Sequence, residues 1–150
     1  MASDIFKIAG VYQDALTWEW ARQLCGSVAQ KVGQEHVHDS WHEVHSLADP
    51  QILVEAVQMA MAADVIVVSL YAAEELPPDL YGWIHSWLPR REMRAGALAA
   101  LIAVPAQPDH WTFRTQEYLQ AVARRGQLDF VPHERKLISG SLDNPPAGFQ

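Results

Sequence analysis

Apolar positions along the chain follow two rhythms that alternate. Short runs rich in branched residues, Ile5–Val11, Asp64–Leu70, Ala97–Val104 and Leu128–Val131, predict strands. Between them lie stretches of helical period. Trp18, Ala21, Leu24, Cys25, Val28 and Val32 recur at offsets of three and four, one helix face, and Gly33 suits a left-handed residue just past its end. His36–Val44 alternates as an edge strand does. Asp49-Pro50 joins a side chain that caps backbone N–H groups to a ring pre-set for the first helical turn, so a second helix is expected to about Ala63. Pro77-Pro78 opens a third, with Leu80, Trp83, Ile84, Trp87 and Leu88 as its stripe and Pro89 as its stop. Phe113–Arg125 makes the fourth, closed by Gly126. The runs at 64–70 and 97–104 are nearly continuous in apolar residues, as strands buried on both faces of a parallel sheet must be, and are expected at its centre. Strand and helix thus alternate five times without a clear last helix. Right-handed crossovers then leave a doubly wound α/β sandwich as the simplest closure. It should occupy residues 1–138, with an irregular tail, 139–150, containing Gly140, Asn144, Pro145, Pro146 and Gly148.

Composition narrows the function classes. The 150 residues carry 11 Lys+Arg against 18 Asp+Glu, a formal charge of −7, and the densest basic cluster is Arg90-Arg91 with Arg94. Such a chain lacks the positive footprint that nucleic acid or an anionic membrane surface requires. No apolar run is long enough to span a bilayer and the first residues do not read as a secretion signal, so a cytoplasmic location is expected. The lone cysteine, Cys25, sits in a helical pattern and reads as a structural thiol. His36, His38, His42 and His45 crowd beside Glu35, Asp39 and Glu43, all ligand types, but neither strand nor helix period puts the four histidines on one face. The expectation is solvated imidazoles on an edge strand and no metal. Glu74-Glu75 reads as two solvated loop carboxylates, and most of the six tryptophans as core or interface. Neither a Gly-Lys-Ser/Thr phosphate loop nor a Gly-x-Gly-x-x-Gly fingerprint is present. A phosphoacceptor Asp after the third strand, as in receiver domains, is also missing, because Ser69-Leu70-Tyr71 stands there.

In a doubly wound sheet, ligands sit beyond the carboxyl ends of the strands, which directs attention to Tyr12–Leu16, Tyr71–Pro77 and Pro105–Trp111. Ala63–Tyr71, then Leu76-Pro77 and Leu80–Leu88, resembles the central strand, flavin loop and following helix of the NADPH-dependent FMN reductases. Tyr118–Gly126 with Phe130–Pro132 is similar to that family's last helix and strand. The resemblance implies a flavodoxin-like fold, a five-stranded parallel sheet in the order 2-1-3-4-5. It also implies a flavin site in which Tyr12, Gln13 and Thr17 would face the phosphate, and Tyr71, Ala72, Ala73 and Glu74 the ring. Three departures argue against a working site. The phosphate loop offers one hydroxyl, Thr17, and places Asp14 where a like charge repels phosphate. The loop after the third strand has Glu74 and Glu75 where the family has Asn, and Pro105–Trp111 has no glycine. The expected function is therefore a non-catalytic binding or oligomerisation module with a degenerate flavin site and no cofactor. The alternative is an FMN-dependent NAD(P)H:acceptor oxidoreductase. The helix 80–88 is apolar around most of its girth, with Tyr81 widening the stripe, and the resembled reductases commonly dimerise. A homodimer through this helix is the expected partner.

Overall fold

The computed structural model describes residues 5–32, 37–73, 75–91, 95–104 and 110–136. Five strands, β1 (Phe6–Tyr12), β2 (Val37–Glu43), β3 (Val65–Tyr71), β4 (Ala97–Val104) and β5 (Asp129–Lys136), form one sheet. Four helices, α1 (Ala15–Val32), α2 (Pro50–Ala62), α3 (Pro78–Arg91) and α4 (His110–Arg125), alternate with them, and a 3₁₀ turn at Val44–Ala48 precedes α2. Strand order is β2-β1-β3-β4-β5 and every pairing is parallel, as expected. The near-continuous apolar run of β3 makes it the middle strand, and β4 also has a neighbour on each side. Residues 66–70 and 98–104 are all buried.

Side chains alternate across this sheet, and two cores result. The larger joins Ala9, Val11, Ile66, Val68, Leu70, Leu98, Ala100 and Ile102 to apolar residues of α2, α3 and α4. The smaller joins Ile8, Val67, Ala99 and Leu101 to Ala21 and to half-buried Trp18, Trp20 and Leu24 of α1. Among the described residues, three helices thus lie on one face and one on the other. Trp41 of β2 belongs to the smaller core and lies flat over Gly10, whose place a Cβ would deny to the indole. No described helix is long and apolar enough to cross a membrane.

Asp49 caps α2 as its sequence predicts: its carboxylate accepts the Gln51 N–H at 2.9 Å, with Pro50 in the first turn. Several boundaries shift for physical reasons. Tyr12 completes β1 and α1 begins at Ala15, which shortens the expected loop 12–16 to Gln13 and Asp14. α3 continues past Pro89 to Arg91, for a proline near a helix end sacrifices little and the last turn is anchored. The buried Arg91 guanidinium there donates to the Ala60 and Ala63 carbonyls, both at 2.8 Å, and to Ala95 O at 3.0 Å. The fourth helix starts at His110, three residues earlier than its apolar period suggests. β5 runs to Lys136 instead of Val131, because β4 offers hydrogen-bonding groups along its whole length and an edge strand tolerates polar side chains and Pro132.

At the end of α4 the expected role of Gly126 is corrected. Gln127 takes the left-handed conformation (φ 58°), its N–H bonds Arg124 O at 3.2 Å, and the Leu128 N–H bonds Ala123 O at 2.8 Å. That is a Schellman cap with glutamine in the position usually given to glycine. Gly126 serves packing instead: a Cβ there would stand 2.9 Å from Leu88 Cδ1. Gly33, His36, Glu74 and the tail 139–150 lie outside the described residues.

Candidate functional site

The carboxyl end of the sheet brings Tyr12, Gln13, Asp14, Thr17 and Tyr71 together. Asp14 precedes the first residue of α1, and its Oδ1 accepts the Thr17 N–H at 3.1 Å. Thr17 reaches back, its Oγ1 accepting the N–H groups of Gln13 and Asp14, both at 2.9 Å. This is a reciprocal capping box, built from Asp-x-x-Thr, at the N-terminus of α1. Trp18 N–H closes the first helical bond on Asp14 O at 2.9 Å. Of the N–H groups that this helix start would present to an anion, those of Asp14, Leu16 and Thr17 are thus occupied by the chain's own hydroxyl and carboxylate.

β3 is stitched to this turn by three further bonds. Tyr71 Oη donates to Asp14 Oδ2 at 2.6 Å, the Tyr71 N–H donates to Gln13 Oε1 at 2.7 Å, and the buried Ser69 hydroxyl donates to Thr17 O at 2.8 Å. Burial alone would raise the Asp14 carboxyl. Hydrogen bonds from the Tyr71 hydroxyl, the Thr17 N–H and hydroxyl, and the Leu16 N–H outweigh it and hold the group below its usual range. Desolvation, then the hydrogen bond and charge of Asp14, push the Tyr71 phenol up to about 12. Asp14 is therefore more than a nearby repulsive charge: it is the cap itself. The pattern was readable in advance, since Asp-x-x-Thr directly before an apolar helical stripe is a helix-start signature.

Of the other residues expected at a flavin, Ala72 and Ala73 leave in a different direction. The Ala72 N–H bonds Ala103 O at 2.9 Å, and Ala73 is clasped at both N–H and carbonyl by the Thr115 hydroxyl of α4, 3.2 Å each. Between this clasp and α3 opens a cleft of about 190 Å³ lined by Ala73, Leu76, Tyr81, Arg114, Thr115 and Tyr118. Tyr81 and Tyr118 meet edge to face, centroids 5.2 Å apart, and Tyr81 Oη accepts the Leu76 N–H at 3.3 Å. The Tyr118 hydroxyl is buried and has no partner among the described residues, an omission that costs about 1–3 kcal/mol. Desolvation and the neighbouring Tyr81, against a lowering influence of Arg125, push this phenol up to about 12. Sequence reasoning did not connect these residues, for nothing local links position 81 to 114 and 118.

A second cleft, about 210 Å³, lies between the start of β1, β2 and α2, lined by Lys7, His38, Asp39, Gln58 and Met59. It is at the opposite end of the strands from the ligand crevice. Among the described residues, no group of three His, Cys, Asp or Glu side chains is placed to hold a metal ion. His38 and His42 share one face of β2, and His45 belongs to the 3₁₀ turn. Cys25 donates to Asp39 Oδ2 at 3.5 Å, and burial, reinforced by that carboxylate, pushes its thiol up to about 11, the reverse of an activated nucleophile.

The sequence matches no protein-family model and no curated protein. Solved structures do match. The azoreductase from Bacillus anthracis str. Sterne superposes with a TM-score of 0.66 at 8% identity, over 88% of this chain and 87% of that one. An oxidoreductase from Corynebacterium diphtheriae gives 0.64 at 14% identity, over 89% and 82%. At such identities the likeness is one of architecture, and with the five parallel strands in the order 2-1-3-4-5 it makes this chain a flavodoxin-like α/β protein.

Proposed function

We propose that the protein is a flavodoxin-like binding module whose phosphate position is closed by its own Asp14 carboxylate. The observation that carries this reading is the Asp14–Thr17 capping box tied to Tyr71. An FMN phosphate docked at α1 would need the N–H groups that Thr17 and Asp14 already take, and would meet a carboxylate held in its charged form. The residues present do not fit that group. The purified protein is expected to be colourless, and titration with micromolar FMN to give no saturable signal. Asp14→Ser is the informative variant. Serine is an equally good cap, so the helix start survives, while the repulsive charge is gone and FMN affinity should rise about tenfold.

A second reading, an FMN-dependent NAD(P)H:acceptor oxidoreductase, is favoured by the two neighbours, one named an azoreductase and the other an oxidoreductase. Tight stoichiometric FMN binding by the unaltered protein would establish it and overturn the closed site.

A further inference from the structure

On the α1 side of the sheet, the side chains of Cys25, Asp39 and Trp41 meet at one atom. Oδ2 of Asp39 accepts the Trp41 Nε1–H at 2.7 Å and the Cys25 Sγ–H at 3.5 Å. Trp41 also meets Trp18 edge to face, centroids 5.3 Å apart, so the indole that holds the carboxylate touches a second indole. Loss of an electron makes an indole N–H strongly acidic, and an ionised acceptor already in place both stabilises the new charge and takes the proton. Among the described side chains, Trp41 is the indole whose N–H bonds a carboxylate. Trp20 has the opposite environment, since the Arg135 guanidinium stands 5.0 Å from its ring centroid and a cation opposes further positive charge there. Trp83 and Trp87 are buried, with no partner for Nε1 among the described residues, and a charge formed in such surroundings is costly. Electrostatics thus single out Trp41 as the indole that gives up an electron most readily.

We propose that Trp41, Asp39 and Cys25 form a one-electron relay that takes the oxidising equivalent of a radical striking this face and leaves it on the Cys25 sulfur. A one-electron oxidising radical removes an electron from the Trp41 ring and is itself reduced to its anion. The Nε1–H bond breaks, its proton passes to Asp39 Oδ2, and a neutral indolyl radical remains. Cys25 then gives an electron to that radical. Asp39 returns its proton to Nε1, receives the Sγ proton through the second hydrogen bond and releases it to water. The balance is one oxidant reduced, one thiyl formed and one proton released, with Trp41 and Asp39 restored. Burial and Asp39 push the Cys25 thiol up to about 11, so at neutral pH it keeps the proton that the relay moves, and reagents that seek a thiolate find little to attack.

Azide radical, generated by radiolysis, is the probe, since it oxidises indoles and thiolates and spares thiols. At neutral pH and limiting dose, peptide mass spectrometry should find a nitrone spin trap chiefly on Cys25. In Cys25→Ala the trap should move to Trp41, and the indolyl radical should outlive that of the parent. Asp39→Asn keeps an oxygen for the Trp41 N–H and removes the charge at an exposed position, and circular dichroism verifies that the variant is folded. Labelling of Cys25 should then fall about threefold, the factor that one solvent-exposed charge contact supplies. Trp41→Phe should abolish it, and if that variant folds poorly Asp39→Asn decides alone. Cys25 labelling that is unchanged in Asp39→Asn or in folded Trp41→Phe, or trap on Tyr12 or Trp20 in place of Cys25, would overturn the relay. No flavin is present in any arm, so the result is separate from the test of the closed phosphate position.

Discussion

Asp14 shows how one residue changes meaning between the sequence and the folded chain. As a letter in a loop it is a charge hostile to phosphate; in the structure it accepts the Thr17 N–H and the Tyr71 hydroxyl and starts α1. Asp14→Ala should therefore cost about 1 kcal/mol of stability, the usual loss for a cap. The pH dependence follows from the shifts of the pair. Asp14 titrates lower in the folded chain than its ordinary value near 3.8, so its contribution is present above that value and disappears as the pH falls through the depressed one. Tyr71 is raised to about 12, so its contribution is complete below about pH 10 and is lost as the pH rises toward 12. Thermal melts across pH should show Asp14→Ala losing less stability than the parent on acidification, and Tyr71→Phe losing less at alkaline pH. The alkaline effect is partial, because Tyr118 is raised as well. Parallel pH profiles for parent and variants would refute the coupling.

At the scale of elements, the helix ends carry most of what local pattern conveys and most of what it conceals. Asp49-Pro50 was legible because capping is a short-range matter of one side chain and the next N–H groups. The end of α4 was not, since Gly126 looks like the terminator while the left-handed residue is Gln127. A side chain with a Cβ in that conformation costs about 1 kcal/mol, so Gln127→Gly should stabilise the protein by about 0.5–1 kcal/mol, and Gly126→Ala should destabilise it by pressing on Leu88. Chemical denaturation distinguishes the two, and the opposite order would contradict the cap assignment. Strands β3 and β4 were plain from their nearly continuous apolar runs, for burial on both faces leaves little room for polar positions, and buried Ser69 is accommodated by its bond to Thr17 O. β5 was half hidden, because Pro132–Lys136 reads as a loop by composition and becomes a strand only through its partner β4.

Over the whole molecule, topology was legible and the site only in part. Tyr12, Gln13, Thr17 and Tyr71 do meet, because the rule that places loops at the carboxyl ends of parallel strands is general. The Arg114–Tyr118–Tyr81 cleft joins two helices distant in sequence, and pairings of that kind leave no local trace. The tryptophan stripe of α3 is another lesson in scale. Leu80, Trp83, Ile84, Trp87 and Leu88 are all buried within one chain, and Tyr81 rests on Tyr118. The apolar girth that suggested a partner is absorbed by α2, α4 and the sheet. The proposed homodimer must then use the exposed strip of this helix, Gly82, His85 and Arg90. Light scattering over a concentration series should report a dimer that His85→Glu weakens, and a monomer at every concentration would retire the proposal.

The aromatic contacts beside α1 equip the protein with a natural optical probe. Trp18, in the first turn after Asp14, lies tilted against Tyr12 with centroids 4.9 Å apart and meets Trp41 edge to face at 5.3 Å, all three half-buried. Trp83 and Trp87 pack dry against each other on the far side of the sheet. Red-edge emission, quenchable by iodide, would therefore come from the half-buried indoles on the α1 side, Trp18, Trp20 and Trp41, and blue emission from the α3 pair. Loosening of the capped turn would register in the first signal while the second stays constant, so the state of Asp14 can be followed without attaching a label.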